Sequence, residues 1–225
     1  MLHVARIASR PRSEASRMSL NPAQREAVAW TDGPLLVLAG AGSGKTRVIT
    51  EKIARLVRDG LRADRVCAIT FTNKAASEMR DRLEALVGPR VRAIWAATFH
   101  SACVRILRRD APSVGYERTF AIFDAADQAR LLRRCFEDEN IDAKRVDPRA
   151  VVGRISDAKN RLQVPQDIEI GSFNDEVVVR LYRRYQDRLH ANQAMDFDDL
   201  LMHTVKLLEG NDDVRGHYQA KFQHV

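Results

Sequence analysis

Leu35-Leu36-Val37-Leu38-Ala39-Gly40-Ala41-Gly42-Ser43-Gly44-Lys45-Thr46 is the stretch on which the fold turns. Four apolar residues of strand length run into a glycine-rich turn. Beyond it, Val48, Ile49, Ile53, Leu56 and Val57 recur at helical spacing through Arg58, and Asp59-Gly60 supplies a stop. A strand, a tight turn and a helix in that order are the start of an α/β unit. The residue types also carry chemistry. Phosphate oxygens are met at close range by backbone N–H groups, and Gly40, Gly42 and Gly44 let the chain approach that near. The helix opening near Lys45 aims its free amides and positive dipole end at an anion. Lys45 can reach terminal phosphates, and the Thr46 hydroxyl can bind Mg²⁺. Ala39 stands where the strict pattern has glycine, so the motif Ala39–Thr46 is a relaxed form. A glycine-rich turn that binds nothing is the alternative, and the Lys-Thr pair argues against it.

Working outward, the strand–helix alternation continues. Residues 66–71 (VCAITF) and 91–98 (VRAIWAAT) read as strands. Between them, 75–87 reads as a helix with Met79, Leu83, Leu86 and Val87 inward, ended by Gly88-Pro89. The pattern predicts a parallel sheet covered by helices on both faces. After Arg109 it turns helical. A short apolar stretch, 120–123, precedes one stripe, Leu131, Leu132, Cys135 and Phe136. A second stripe is Val178, Leu181, Tyr182, Tyr185 and Leu189. A further amphipathic helix carries Phe197, Leu200, Leu201, Val205 and Leu208, and residues 222–225 read as the opening of a strand.

Composition narrows the class. The 225 residues are 45% apolar and 30% charged, with a formal net charge of +7. No run of about 18 apolar residues is present, so no membrane-spanning helix is expected. The positive balance favours polyanionic partners, nucleic acid first, although it also serves solubility. Cys67, Cys103 and Cys135 match no zinc spacing and close no disulfide framework, which fits reduced core residues and a cytoplasmic setting. Residues 1–17 hold four arginines and several serines, and read as a disordered tail or an extension upstream of Met18.

Four further segments surround the glycine turn: LNPAQREAV (20–28), AITFTNKAASEM (68–79), AATFHSACVRIL (96–107) and DFDDLL (196–201). In this order around AGAGSGKT they resemble the superfamily 1 DNA helicases of the UvrD/PcrA/Rep family. The resemblance implies a RecA-like P-loop domain (18–109), an inserted helical subdomain (110–190) and a return to the ATP-binding domain (191–225). It implies ATP and Mg²⁺ as cofactors, 3′-to-5′ movement on single-stranded DNA, and work at single-strand/duplex junctions in repair or replication. Gln24 resembles the family's adenine-reading glutamine; an amide offers the donor and acceptor that adenine needs. Read alone, it is a surface glutamine near a helix start. Ala39, Gly40, Ala41, Gly42, Ser43, Gly44, Lys45 and Thr46 map to the phosphate loop, and Arg47 to a further nucleotide contact. Phe71, Thr72, Asn73 and Lys74 resemble one DNA-contact segment, where an aromatic beside a lysine suits base stacking along a phosphate path. Asn73 as a helix cap and Phe71 as core are the structural alternatives. Thr98, Phe99 and His100 resemble a second DNA segment.

The acids Asp196, Asp198 and Asp199 suggest a metal site less than a helix cap and an acidic first turn. In residues 180–189 (RLYRRYQDRL) the tyrosines fall on the apolar stripe, which favours a core face over a nucleic-acid groove. P-loop hydrolysis also needs an acid at a strand end and a group that orients water. Asp124 has the outline, but Ala125 follows where the family carries glutamate. The family's Asp-Glu pair comes after a segment resembling KFQHV (221–225), and no such pair follows within the 225 residues. The expectation is therefore a motor part that binds nucleotide and DNA without turnover by itself, the second motor domain belonging to the rest of the gene product. Repair proteins are further possible partners. A non-catalytic nucleotide- or DNA-binding module is the other reading.

Overall fold

The computed structural model of the protein describes residues 3–6 and 20–225. Backbone contacts divide the chain into two units, Met1–Thr98 with Ala220–Val225, and Phe99–Gln219.

In the first unit, helix α1 (Pro22–Ala29) starts at Asn21, whose side chain accepts from the Gln24 amide while Gln24 Oε1 accepts from Asn21 N. Pro22 suits the first turn because its missing N–H has no partner there anyway. Strand β1 (His3–Arg6) pairs in parallel with β2 (Leu35–Leu38), His3 opposite Leu35. These four residues fall within the stretch expected as a tail; the rest of 1–19 lies outside the described residues. Helix α2 (Lys45–Arg58) buries Val48, Ile53, Leu56 and Val57, as its spacing predicts, whereas Ile49, expected on the same stripe, faces outward at 45% exposure. Strand β3 (Cys67–Thr70) and strand β4 (Trp95–Thr98) pair in parallel, Thr70 opposite Thr98, with helix α3 (Asn73–Val87) crossing between them. Ile53, Val66, Ala68, Met79, Leu83, Ile94 and Ala96 pack as one core. Residues 91–93, expected as strand, instead finish a 3-10 turn that spans Gly88–Ala93. Gly88 leaves the helix at φ 64°, and Pro89 has no N–H to give a strand ladder.

In the second unit, α4 (Phe99–Asp110) packs against α8 (Phe197–Gly210), with Cys103, Leu107, Phe120, Met195, Leu200 and Leu207 between them. This packing draws both α4 and the stretch after residue 190 into one compact unit. Strand β5 (Ala121–Phe123) pairs in parallel with β6 (Ala194–Asp196). Helices α5 (Ala125–Asp138), α6 (Pro148–Asn160) and α7 (Phe173–Ala191) enclose the other core, where both predicted stripes are buried. Tyr182 and Tyr185 lie in it, and Arg180 and Arg184 on the opposite face pair with Glu139 and Asp138 at the end of α5. The core-face reading of 180–189 therefore describes this helix. Phe197, expected on the buried stripe of α8, is 45% exposed. Helix α9 (Asp212–Lys221) follows, the unit ending within it at Gln219.

The fold is mixed α/β with parallel strands, as expected, but the described strands form three separate pairs and no continuous sheet. A partial fourth contact exists: Cys67 N donates to His224 O at 2.9 Å, a parallel bridge on the free side of β3. Trp95 meets Phe222 edge-to-face, and Lys221 lies over the Trp95 ring. Among the described residues no helix is long and apolar enough to cross a membrane.

Candidate functional site

The turn after β2 is built for an anion. Gly42 (φ 70°) and Gly44 (φ 92°) sit in the left-handed region that costs a side-chain-bearing residue about 1–2 kcal/mol. Gly44 serves as the N-cap of α2 with no side chain over the helix end, leaving the first-turn amides open. A Cβ at Gly40 or Gly42 would meet nothing within 4 Å, so the space over the loop is clear of the chain's own atoms. Ser43 Oγ ties the loop by donating to Gly40 O at 2.7 Å. Lys45 folds across it, its Nζ donating to Ala39 O and Gly40 O at 2.9 and 2.8 Å. That posture keeps an ammonium beside the loop, where it can turn from two carbonyls to phosphate oxygens.

A cavity of about 590 Å³ opens from the loop. Gly42, Gly44, Lys45, Thr46 and Arg47 line one side, and Arg82 from α3 lines the other. Three cations and one carboxylate, Glu51, among the lining residues make it suited to a polyanion. Thr46 lies at the helix start beside Lys45, where a hydroxyl can join a Mg²⁺ shell. Ala39 and Ala41 belong to the loop and add backbone alone.

Gln24 departs from the surface reading. It is 6% exposed, and its amide donates to Ser43 O at 3.0 Å while its oxygen caps α1. Helix α1 is thereby fastened to the phosphate loop. Both functions of the amide are engaged by the chain itself.

The first DNA-contact candidate follows β3. Phe71 is 87% exposed, which rules out the core alternative. The cap of α3 is Thr72, accepting from Ala75 N at 3.1 Å, and Asn73 is the first helical residue. Lys74 is exposed. Parallel pairing puts Thr98 beside Thr70, and Thr98 is buried at the end of β4. Phe99 and His100 open α4 in the second unit, Phe99 44% exposed and His100 edge-to-face with Phe197 at 5.5 Å.

The acids of DFDDLL form a cap and more. Asp196 Oδ1 accepts from Asp199 N, and Asp199 Oδ2 accepts from Asp196 N, a reciprocal capping box. Lys159, buried on α6, places Nζ 2.7 Å from Asp196 Oδ2 and 2.8 Å from Asp199 Oδ1. Tyr185 O–H donates to Asp196 Oδ2 at 3.0 Å. Burial raises the Asp199 carboxyl above the usual range against the pull of Lys159, and raises the Tyr185 phenol. Sequence reasoning missed Lys159. The signal was a lysine four residues after Ile155 and eight after Val151, on the apolar stripe of α6. Asp124 caps α5 by accepting from Ala126 N and Asp127 N, a structural task. Among the described residues no group of His, Cys, Asp and Glu is gathered to hold a metal by side chains alone.

The family model for the UvrD/REP helicase N-terminal domain matches residues 20–225. The chain belongs to the UvrD/REP helicase family. Its UvrD/REP relatives include the ATP-dependent DNA helicase PcrA of Bacillus subtilis, 50% identical over 92% of this chain. PcrA of Staphylococcus epidermidis is 49% identical, and that of Staphylococcus aureus 48%, each over 92% of this chain. The chain spans 28–29% of the length of these relatives. The UvrD/REP match begins at Leu20, just before the cap of α1, and takes in both units.

Proposed function

We propose that this chain is the ATP-binding end of a 3′-to-5′ DNA helicase or translocase that acts on single-stranded DNA and single-strand/duplex junctions in repair or replication. The phosphate loop carries the reading. Open glycines, a helix start and a lysine poised over the loop meet at one cavity rich in cations, in a chain half identical to proteins named ATP-dependent DNA helicases. Lys45 exchanges two loop carbonyls for the β- and γ-phosphates, and the amides of Gly42 to Thr46 hold the remaining oxygens. Thr46 would contribute its hydroxyl to a Mg²⁺ shell, and that ion would supply charge neutralisation for the phosphates. Arg47 lines the cavity and would supply a further nucleotide contact. Gln24 reads adenine through whichever amide function it releases, and its bond to Ser43 O links the base to the phosphate loop. Phe71, Thr72, Asn73 and Lys74 contact single-stranded DNA, with Phe71 the stacking residue, as do Phe99 and His100. Thr98 supports that second segment. The ATP-binding domain and helical insert divide as the resemblance implies, and the remaining motor domain and repair proteins are the expected partners.

The 225-residue polypeptide itself is proposed to bind without turnover. Among the described residues no Asp-Glu pair stands at a strand end, and Glu51 lies on a helix flank. Binding of a fluorescent ATP analogue with Mg²⁺, and steady-state hydrolysis with and without single-stranded DNA, test both parts beside Lys45→Ala. Binding lost in Lys45→Ala, with no DNA-stimulated hydrolysis by either chain, is the expected result. Binding that survives Lys45→Ala overturns the phosphate-loop assignment. DNA-stimulated hydrolysis abolished by Lys45→Ala overturns the non-catalytic reading of the isolated chain.

A further inference from the structure

Lys159 is the one lysine among the described residues that is fully enclosed, at 1% exposure, and it sits between two carboxylates of another element. A buried ion cluster is a weak source of net stability, because removing charges from water offsets most of their attraction. Its distinctive property is direction: it satisfies one arrangement and penalises the neighbouring ones. The arrangement here ends at a named ring. Asp196 Oδ2 is saturated by Lys159 Nζ and the Tyr185 hydroxyl, which leaves Oδ1 to cap α8 through Asp199 N. Phe197 is the next residue, the first of α8, and its ring lies edge-to-face against His100 on α4.

We infer that Lys159 is a positioning residue for the second DNA-contact segment: by locking the Asp196 cap it fixes Phe197, and Phe197 fixes the plane of His100. This rests on reading His100 as a DNA contact. Without the ammonium, the Asp196 carboxylate turns about its own side-chain bond, the first turn of α8 loosens, and His100 loses the ring edge that sets its orientation. Helix α6 of the insert is thus joined to a DNA-facing ring through one side-chain cluster inside a single unit.

The test uses the whole chain in three measurements. The His100 ring resonances report its orientation, fluorescence anisotropy reports affinity for a short oligo-dT, and a fluorescent ATP analogue reports nucleotide affinity. Lys159→Met is expected to move the His100 resonances and weaken oligo-dT binding about three- to tenfold, with ATP-analogue affinity unchanged. Ile155→Val, one turn earlier on the same stripe, trims one methyl from the same core while leaving every hydrogen bond and ion pair of the cluster in place, and is expected to leave His100 and DNA affinity as they are. Where Lys159→Met does not fold, Tyr185→Phe removes one hydrogen bond from the same Asp196 oxygen and moves the resonances in the same direction by less. Unmoved His100 resonances in both variants, or an equal shift in Ile155→Val, overturn the positioning role. Oligo-dT affinity that survives His100→Ala overturns instead the DNA reading on which it rests, and the resonances separate that failure from the other.

Discussion

At the residue scale, two side-chain environments set measurable limits. Gly44 holds φ 92° at the mouth of α2, so Gly44→Ala is expected to cost about 1–2 kcal/mol in stability from backbone strain alone. It also adds a methyl at a residue lining the proposed phosphate cavity, and loss of ATP-analogue binding beyond the thermal shift checks that second effect. His203 is held down to about 4, first by burial and then by Lys159 and Lys206. Its ordinary value is 6.5, so between about 6.5 and 4 the unfolded chain takes up a proton that the folded chain refuses. Stability from this group is complete above the ordinary value and falls as the pH drops through that window, by about 2–3 kcal/mol at the limit. Asp199, raised by burial, acts with the opposite sign, since a carboxyl protonated in the fold gains on acidification. Comparing the chain with His203→Leu isolates the histidine: between pH 7 and pH 4.5 the melting temperature of the parent chain should fall relative to that of the variant as the pH drops. A gap that stays constant would falsify the neutral, buried state of His203.

At the element scale, helix identity comes from spacing and helix ends from single residues. Leu181 on α7 has no exposed surface and packs among Leu132, Cys135 and Ile155, so Leu181→Ala is expected to cost about 2–5 kcal/mol by denaturant unfolding. Most of these helices were legible. Leu131 with Cys135, and Leu181 with Tyr185 and Leu189, announce an inward face through period alone. The phosphate loop was equally plain, because its chemistry needs glycine, lysine and threonine in an order that packing does not otherwise demand. Strand limits were harder to read. Residues 91–93 are apolar or long-chained enough to pass as strand, and only the Gly88-Pro89 geometry excludes them. Phe197 also misled: its hydrophobicity placed it on the stripe, whereas the buried face of α8 runs through Leu200, Thr204 and Leu207. The Lys159 cluster escaped because its carboxylates lie in an element distant in sequence, and a long side chain on an apolar stripe more often reaches solvent than a buried partner.

At the scale of the whole molecule, pairing between strands is what local sequence says least about. β2, β3 and β4 were legible as strands, whereas β1 fell in a stretch expected as a tail and β6 was not read at all; which neighbour a strand finds depends on segments far away, and period-two patterning is the same in a two-stranded pair as in a wide sheet. The division into units follows the cores. Both cores of the second unit, around Tyr182 and around Leu107, draw only on residues 99–219. That segment alone is expected to keep its helical circular dichroism and to melt cooperatively; a non-cooperative melt would show that its stability is borrowed. The first unit is different, because it is discontinuous. Cys67 and Arg65 are met by His224, Gln223 and Ala220. On the ribosome, Val66 and Cys67 emerge long before these partners exist, and at about 5–20 residues per second the intervening chain takes roughly ten to thirty seconds to make. Throughout that interval the outer edge of β3 is an unsealed seam on a nascent protein, open to a chaperone or to a neighbouring polysome product, and the unit that holds the phosphate loop cannot close until the whole of the inserted unit has been made.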